Sequence, residues 1–249
     1  MLKRVEGLVI RTNDYGEGHK ILTLYTCDAG KTSVMARGAK KLNSRFAAAA
    51  QLFTYGEYAF YKSGQIGTLQ SAEILDSHHL LREDLEKTAY SAYIAELVDR
   101  LADEEPNAGL FGQLLAALRA IEEGKDPQIT THVMEMKLMA LAGYAPVLDR
   151  CANCGKDIGG SAMFSAAAGG VLCAACANAH AQAMPLADSV WKLLRLLNRV
   201  DLRRIGTISV KPETKRVLKQ VLRRYMDGHV EVSRWKARSF LDQMSKYEL

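Results

Sequence analysis

Two short cysteine pairs in the second half of the chain constrain the fold more than any other feature of the sequence. Cys151 and Cys154 form one Cys-x2-Cys turn, and Cys173 and Cys176 form another after an interval of 18 residues. This spacing is typical of zinc sites, because each turn places two thiolates on one side of a tetrahedral ion. The interval is too short and too glycine-rich to hold a hydrophobic core, so metal binding would supply its folding energy. We therefore expect these four cysteines to bind one structural zinc ion (Zn2+).

Paired cysteines have two other uses, which the sequence leaves open. They can form two buried disulfides, or one pair can act as a redox centre, although a redox pair needs only one motif on a βα unit that is not evident here. No apolar run approaches the roughly 20 residues of a membrane span, and no apolar stretch follows Lys3 and Arg4 as in a secretory signal. We therefore expect a soluble, cytoplasmic protein, in which reducing conditions favour metal over disulfides.

The first 75 residues have apolar side chains at a period of two, which predicts β-strands. Five short strands are expected, at residues 7–11, 20–26, 32–37, 58–61 and 68–75. Gly30 suits the turn after the second strand, and Ser63 and Gly64 suit the turn after the fourth. The alanine-rich segment 44–52 predicts a short helix between the third and fourth strands. This order is typical of an OB-fold barrel, although five strands in this length also fit an SH3-like barrel.

Beyond Ser77 the apolar period lengthens to 3.6 residues, which predicts helices. We expect one long helix from Leu81 to about Leu101, a second that begins after an N-cap at Asn107, and a third that ends before Gly143. Three consecutive helices favour a bundle. After the cysteines, further helices are expected at 189–197, from Pro212 onward, and at 233–246.

These patterns predict an α+β multidomain protein. Residues 1–79 form an N-terminal OB-fold β-barrel that binds nucleic acid, and residues 80–249 form an α-helical domain. The four-cysteine zinc-binding loop, residues 151–178, is inserted in that helical domain.

Charge is unevenly distributed along the chain, although the net charge is only +5. Residues 1–80 contain ten Lys or Arg and seven Asp or Glu, residues 81–150 contain seven and thirteen, and residues 192–249 contain fifteen and six. Two basic ends that flank an acidic middle are typical of a polyanion-binding protein, and an unevenly charged solvated surface gives the same pattern.

The segment that follows the third predicted strand, residues 37–45, is the basic loop. It carries Arg37, Lys40, Lys41 and Arg45 beside the barrel, an arrangement that suits phosphate binding unless the loop is merely solvated. Aromatic residues that could stack on bases are interleaved through the barrel: Tyr15, Tyr25, Phe53, Tyr55, Tyr58, Phe60 and Tyr61. Strand alternation places Tyr58 and Phe60 on one face and Tyr61 on the other.

A second basic set lies on the helix that follows Pro212. Lys215, Lys219 and Arg223 are four residues apart, so they share one helix face, which is either a second polyanion surface or the wet side of an amphipathic helix. Arg11 and Lys31 on the barrel are further candidate DNA contacts. His78 and His79 could bind metal only with a third partner, which the sequence does not offer.

Sequence signatures of common enzyme classes are absent. We find no phosphate-binding loop, no dinucleotide fingerprint, no nucleophile elbow and no zinc-protease helix, so we expect a protein that is not an enzyme.

Several strings of the N-terminal region resemble the RecO family of bacterial recombination mediators. They are residues 6–11, 14–17, 20–24, 30–31 and 36–39, and the ending from Tyr225 to Leu241 is similar as well. The resemblance implies a repair protein that binds single- and double-stranded DNA and anneals complementary strands. It also implies partnership with RecR in loading RecA onto DNA covered by single-strand-binding protein (SSB), with RecF and RecA as less direct partners.

The same resemblance implies a nucleoid-associated protein whose DNA contacts match best at Arg37, Lys40, Lys41 and Arg45. It also implies that the acidic, apolar C-terminal tail of SSB docks in a basic-rimmed apolar pocket among the helices. Some family members lack the cysteines, so the zinc ion would be scaffold. Two alternatives stay open. A zinc-ribbon, sequence-specific nucleic-acid-binding regulator would discriminate between sequences independently of salt. A thiol oxidoreductase would instead turn over through Cys151 or Cys173.

Overall fold

The computed structural model describes residues 1–62, 64–231 and 235–247, with side chains described through Met244. Ser63 of one predicted turn and residues 233–234 of the last predicted helix lie outside this part of the chain. The chain forms two compact units. The first consists of Met1–Pro127 together with Lys236–Leu249, and the second of Gln128–Trp235.

The N-terminal strands close into a five-stranded barrel. They are β1 Leu2–Tyr15, β2 His19–Thr26, β3 Gly30–Ala36, β4 Tyr55–Lys62 and β5 Ile66–Asp76. The strand order around the barrel is β1-β2-β3-β5-β4, in which β1 is antiparallel to both β2 and β4, and β3 is parallel to β5. A register shift between Val9 and Arg11 bends β1, so its two halves pair with different neighbours. The predicted OB-fold topology is confirmed.

The barrel interior is filled by alternate side chains of the strands and by part of the segment that joins β3 to β4. Its buried residues are Val5, Val9, Leu22, Leu24, Val34, Ala36, Ala39, Phe46, Ala49, Ala50, Tyr58, Phe60 and Leu69. The predicted alternation on β4 holds, since Tyr58 and Phe60 are fully buried and Tyr61 is exposed. Phe46, Ala49 and Ala50 come from the joining segment, so this segment is part of the core.

The short helix predicted at residues 44–52 is wrong: the segment is a series of turns. In a regular helix the Ala49 carbonyl would accept from the Phe53 N–H. Here the Tyr58 hydroxyl donates to the Ala49 carbonyl at 3.0 Å, and the Phe53 N–H donates to the Val9 carbonyl at 2.9 Å. Tertiary hydrogen bonds therefore override the helix propensity of the alanines.

The helices of the first unit are α1 Leu80–Glu83, α2 Leu85–Leu101, α3 Ala108–Glu122 and α8 Lys236–Tyr247. The single long helix predicted from Leu81 is wrong, because Asp84 is extended and caps α2 by accepting from the Lys87 N–H at 2.9 Å. The predicted cap at Asn107 is confirmed, since its side chain accepts from the Leu110 N–H at 2.9 Å.

The second unit combines helices with a small sheet. Its elements are α4 Pro127–Leu141 (whose first residue belongs to the first unit), β6 Ala162–Ser165, β7 Gly170–Leu172, α5 Ala174–Ala177, β8 Met184–Leu186, α6 Asp188–Arg199, a 3-10 turn Leu202–Arg204, and α7 Pro212–His229. The three strands form a sheet in the order β7-β6-β8. Pro212 is the first residue of α7, as its sequence position predicts.

The helices of the described residues lack the combination of length and apolar character that crossing a bilayer requires.

Candidate nucleic-acid interface and metal centre

The four predicted ligand cysteines lie together. Their sulfur atoms all lie within 4.8 Å of one another, and the Sγ atoms of Cys154 and Cys173 are 3.9 Å apart. Cys151 is buried, Cys154 is exposed, and Cys173 and Cys176 are half-buried. Four sulfur donors converging on one point fit a tetrahedral ion that prefers soft ligands. The structure therefore brings together the whole set that the sequence spacing predicts.

Backbone groups of both turns prepare the buried thiol for metal binding. Burial alone would raise the pKa of Cys151, but backbone N–H groups of three neighbouring residues outweigh burial and lower this pKa to about 6; they belong to Cys154, Cys173 and Asn153. One of them, the Cys173 N–H, donates to the Cys151 sulfur at 3.4 Å. Because the thiolate is the metal-binding form of cysteine, these donors favour metal ligation by Cys151.

The cysteine cluster is anchored to α6 by the residues that precede it. The Trp191 indole donates to the Leu148 carbonyl at 2.8 Å. Two cations of α6, Arg195 and Arg199, contact the Asp149 carboxylate at 2.6 and 3.2 Å. The backbone that leads into the first cysteine turn is therefore held against α6.

The basic loop is fastened to the β1–β2 hairpin. The Gly38 N–H donates to His19 Nδ1 at 2.9 Å, and the Lys40 N–H donates to the Gly18 carbonyl at 3.2 Å. The Lys40 ammonium lies 2.7 Å from an Asp14 carboxylate oxygen. The hydrogen bond from Lys40 holds the pKa of Asp14 below its ordinary range. The hairpin tip and the basic loop therefore form one continuous surface at one end of the barrel.

All four predicted phosphate contacts of the basic loop are exposed: Arg37, Lys40, Lys41 and Arg45. The Arg45 guanidinium lies 4.6 Å from the centre of the Phe46 ring and donates to the Gln70 carbonyl at 3.0 Å. The Arg45 side chain is therefore held in place, and some of its N–H donors are used by the protein itself. The loop as a whole still presents positive charge to solvent.

The other two barrel cations contact the helices of the first unit. Arg11 pairs with the Asp99 carboxylate at 3.1 Å, and the Lys31 ammonium donates to the Asp99 backbone carbonyl at 2.9 Å. Arg11 also donates to the Thr23 hydroxyl at 3.3 Å. The structure does not bring Arg11 and Lys31 to the basic loop; it uses both to join the barrel to the end of α2.

The predicted basic face of α7 is partly buried. Lys215, Lys219 and Arg223 are half-buried, whereas Arg216 and Arg224 on the same helix are exposed. Sequence spacing places the three predicted residues on one face, but it does not reveal that this face is partly buried. The exposed pair therefore becomes the better candidate for an electrostatic contact on α7.

The structure separates core aromatics of the barrel from exposed ones. Tyr25, Phe53, Tyr58 and Phe60 are fully buried, and burial raises the pKa of Tyr25 to about 12. The Tyr55 ring packs against Phe111, with ring centres 6.1 Å apart, and its hydroxyl contacts Glu6. Tyr15 and Tyr61 are each 52% exposed. Among the seven predicted stacking candidates, only these last two present half of their surface to solvent.

One cluster escaped the sequence reasoning. His78 is buried, and its Nδ1 lies 2.7 Å from a Glu122 carboxylate oxygen and 3.7 Å from an Asp76 oxygen. Glu122 is the partner that the sequence did not reveal, because it lies 44 residues away at the end of α3. The short contact is explained by a hydrogen bond that joins the segment after β5 to α3, since a buried polar group needs a partner.

Comparison with known proteins covers nearly the whole chain. The protein-family model described as "Recombination protein O N terminal" matches residues 1–78, and "Recombination protein O C terminal" matches residues 82–238. The DNA repair protein RecO of Shouchella clausii (strain KSM-K16) is 45% identical over 247 residues, which are 99% of this chain and 96% of the relative.

Two further relatives carry the same name. The DNA repair protein RecO of Bacillus subtilis (strain 168) is 44% identical over 98% of this chain and 95% of its own length. That of Listeria monocytogenes serotype 4b (strain CLIP80459) is 41% identical over 99% of this chain and 96% of its own length. The barrel, the helices and the cysteine cluster thus lie within a sequence that matches along nearly its entire length, and the chain belongs to the RecO family of DNA repair proteins.

Proposed function

We propose that this protein is a DNA-binding recombination mediator of the RecF repair pathway. It anneals complementary single strands and helps RecR load RecA onto single-stranded DNA coated by SSB. The observation that carries the proposal is the exposed basic loop, fastened to the β1–β2 hairpin at one end of an OB-fold barrel. Membership of the RecO family supports the repair role.

DNA binding on this surface is electrostatic and tolerant of sequence. Arg37, Lys40, Lys41 and Arg45 neutralise phosphates and release condensed counterions, so affinity falls steeply as salt rises. The same neutralisation promotes annealing, because it lowers the repulsion between two phosphate backbones that approach each other. No bond is made or broken in either process, so we propose a protein that acts without catalysis.

The cysteine cluster serves this function indirectly. We propose that Cys151, Cys154, Cys173 and Cys176 hold one structural zinc ion, since four sulfur atoms fill a tetrahedral site and leave no position open for a reacting molecule. Residues 1–79 then form the nucleic-acid-binding domain, and residues 80–249 form the helical domain with the zinc insertion at 151–178. The protein acts in the cytoplasm, at the nucleoid.

An open cleft in the second unit suits the SSB tail. It encloses about 570 Å³ and is lined by Phe164, Ala166, Ala167, Gln182, Met184, Arg224, Asp227 and Gly228. Arg224 supplies a cation for the acidic part of the tail, and Ala166, Ala167 and Met184 supply apolar contact area. Arg224→Glu should weaken binding of a labelled tail peptide, whereas Arg216→Glu, which makes the same charge change elsewhere on α7, should not.

The basic loop is tested by the triple variant Lys40→Ala, Lys41→Ala and Arg45→Ala. We expect weaker binding to single strands, slower annealing of SSB-coated oligonucleotides, and a salt dependence that flattens by about one unit for each phosphate that the variant no longer neutralises. Binding of the SSB tail should be retained, and an unchanged melting temperature shows that the barrel is folded. If the variant binds single strands as tightly as the parent at every salt concentration, the assignment of the basic loop as the DNA-binding site is wrong.

The same titrations address the zinc-ribbon alternative. A sequence-specific regulator would prefer one oligonucleotide strongly over others at all salt concentrations. A mediator would bind oligonucleotides of different sequence with similar affinity.

A further inference from the structure

The geometry points to Tyr15 as the residue on which a nucleobase of bound single-stranded DNA stacks. This inference rests on the proposed DNA-binding function and deepens it, because it assigns a contact to the base where the basic loop offers contacts only to phosphates. Stacking on an aromatic ring tolerates every base, since each base has a π-face, and it distinguishes unpaired strands from duplex.

Burial excludes most of the other aromatic residues of the barrel. Four of the candidates are fully buried, and Tyr55 is occupied by Phe111 and Glu6. Tyr15 and Tyr61 are equally exposed, at 52% each, so exposure alone does not decide between them. The attachment of the β1–β2 hairpin to the basic loop favours Tyr15.

Tyr15 lies at the end of β1 to which the basic loop is fastened. It is paired with His19 across the β1–β2 hairpin, and His19 Nδ1 accepts the Gly38 N–H of that loop. Tyr61 is paired with Leu2, at the opposite end of β1. Tyr61 is also paired with Thr68 of β5, which is paired with Met35 near the end of β3, so it offers a second exposed ring on the neighbouring strands.

Cations of the β1–β2 hairpin and the basic loop favour a polyanion near Tyr15. Lys20, in the register pair next to that of Tyr15, and Lys40 both lie near Asp14, the residue that precedes Tyr15 in β1. Leu42 of the basic loop is 97% exposed, which folding does not explain, and it offers apolar contact to a neighbouring sugar or base. Phosphates on the lysines and a base on the aromatic ring form the usual arrangement for sequence-tolerant single-strand binding.

The test compares two oligonucleotides of equal length, a labelled oligothymidine and a labelled abasic strand with the same phosphates. Tyr15→Ala should lose about tenfold in affinity for oligothymidine and keep its affinity for the abasic strand. Tyr15→Phe should retain parental binding, because the ring is preserved. Tyr144→Ala is the matched control, with the same chemical change at a tyrosine of the second unit that is 43% exposed, and it should bind both strands like the parent.

Each other outcome counts against the inference. Parental affinity of Tyr15→Ala for oligothymidine would overturn it, as would an equal loss of affinity for both strands, which indicates weakened phosphate binding. Should Tyr15→Ala melt below the parent, Tyr15→Leu replaces it, and oligothymidine binding as tight as that of Tyr15→Phe would overturn stacking. A parent protein that binds neither strand would instead remove the proposed DNA-binding function, and the inference with it.

Discussion

Gly30 and Glu104 meet backbone to backbone: a Cβ atom added to Gly30 would lie 1.8 Å from the Glu104 carbonyl oxygen. Gly30 has φ +60° at the start of β3, directly after the turn that follows β2, and its own carbonyl accepts from the Thr26 hydroxyl at 2.8 Å. Glu104 belongs to the segment between α2 and α3. The contact therefore sets how closely the barrel approaches its supporting helices, beside the contacts that Arg11 and Lys31 make with Asp99.

Gly30→Ala should destabilise the protein by about 3 kcal/mol or more, because a left-handed alanine and a steric clash with backbone add together. Gly16→Ala is the matched control: Gly16 has φ +58°, and nothing lies within 4 Å of a Cβ added there. It should cost only about 1 kcal/mol. Denaturant unfolding measures both, and equal losses would show that the approach of Glu104 does not matter.

Asp14→Asn should tighten binding to single-stranded DNA about two- to fivefold at low salt, because it frees Lys40 from its carboxylate partner. The gain should fade at high salt. Since Lys40 depresses the pKa of Asp14 below the ordinary 3.8, the carboxylate is charged throughout pH 6–8, so the gain should be constant there.

Asp28→Asn provides the control for Asp14→Asn. Asp28 is an exposed carboxylate in the β2–β3 turn, at the other end of β2 from the hairpin, and its replacement changes the net charge equally. An equal gain from both variants would mean that only net charge matters and that the Lys40–Asp14 pair is irrelevant to DNA binding.

Removal of one sulfur ligand should empty the metal site. We expect elemental analysis of reduced, freshly purified protein to find one zinc ion per chain, and Cys151→Ser or Cys176→Ser to lose the ion and melt several degrees lower. Cys27→Ser, which alters the cysteine outside the cluster, should keep both zinc and melting temperature. Parent protein without zinc would refute the metal assignment.

Local patterns predicted much of this architecture. Strand alternation, the turn at Gly30, the Asn107 cap and the cysteine spacing each depend on residues close together in the sequence, and the structure confirms them. The same holds for the exposed basic loop, because a loop that joins strands at a barrel end must lie at the surface.

Long-range contacts account for what the sequence did not reveal. In the sequence, nothing distinguishes Lys31 from the other cations of the barrel. In the structure, its ammonium donates to the backbone carbonyl of Asp99, 68 residues away. The Tyr58 hydroxyl replaces a helical hydrogen bond in a segment that alanine content alone would make helical. Such outcomes are set by the folded surroundings of a residue, which neither its type nor its neighbours in the chain encode.

Glu96→Ala should loosen α8 in the folded protein. The Glu96 carboxylate accepts from the backbone N–H groups of Lys236 and Ala237 at 2.8 and 3.0 Å, so α2 supplies the N-cap of α8. Loss of the Glu96 carboxylate should lower the free energy of unfolding by about 1–2 kcal/mol and speed amide hydrogen exchange at residues 236–247. Glu96→Gln retains an acceptor and should lie between the alanine variant and the parent. Unchanged exchange in the alanine variant would show that packing alone holds α8.

The return of the chain to α2 also governs how this protein can be divided. The first unit is built from two stretches, Met1–Pro127 and Lys236–Leu249, whereas the second is the single stretch between them. A fragment that ends at Pro127 therefore exposes the side of α2 that α8 covers. A truncated chain that ends before Lys236 lacks α8 as well, and so destabilises the unit that contains the barrel. A soluble minimal form of the first unit has to join its two stretches with a short linker. In topological terms, the second unit is a domain insertion within the first.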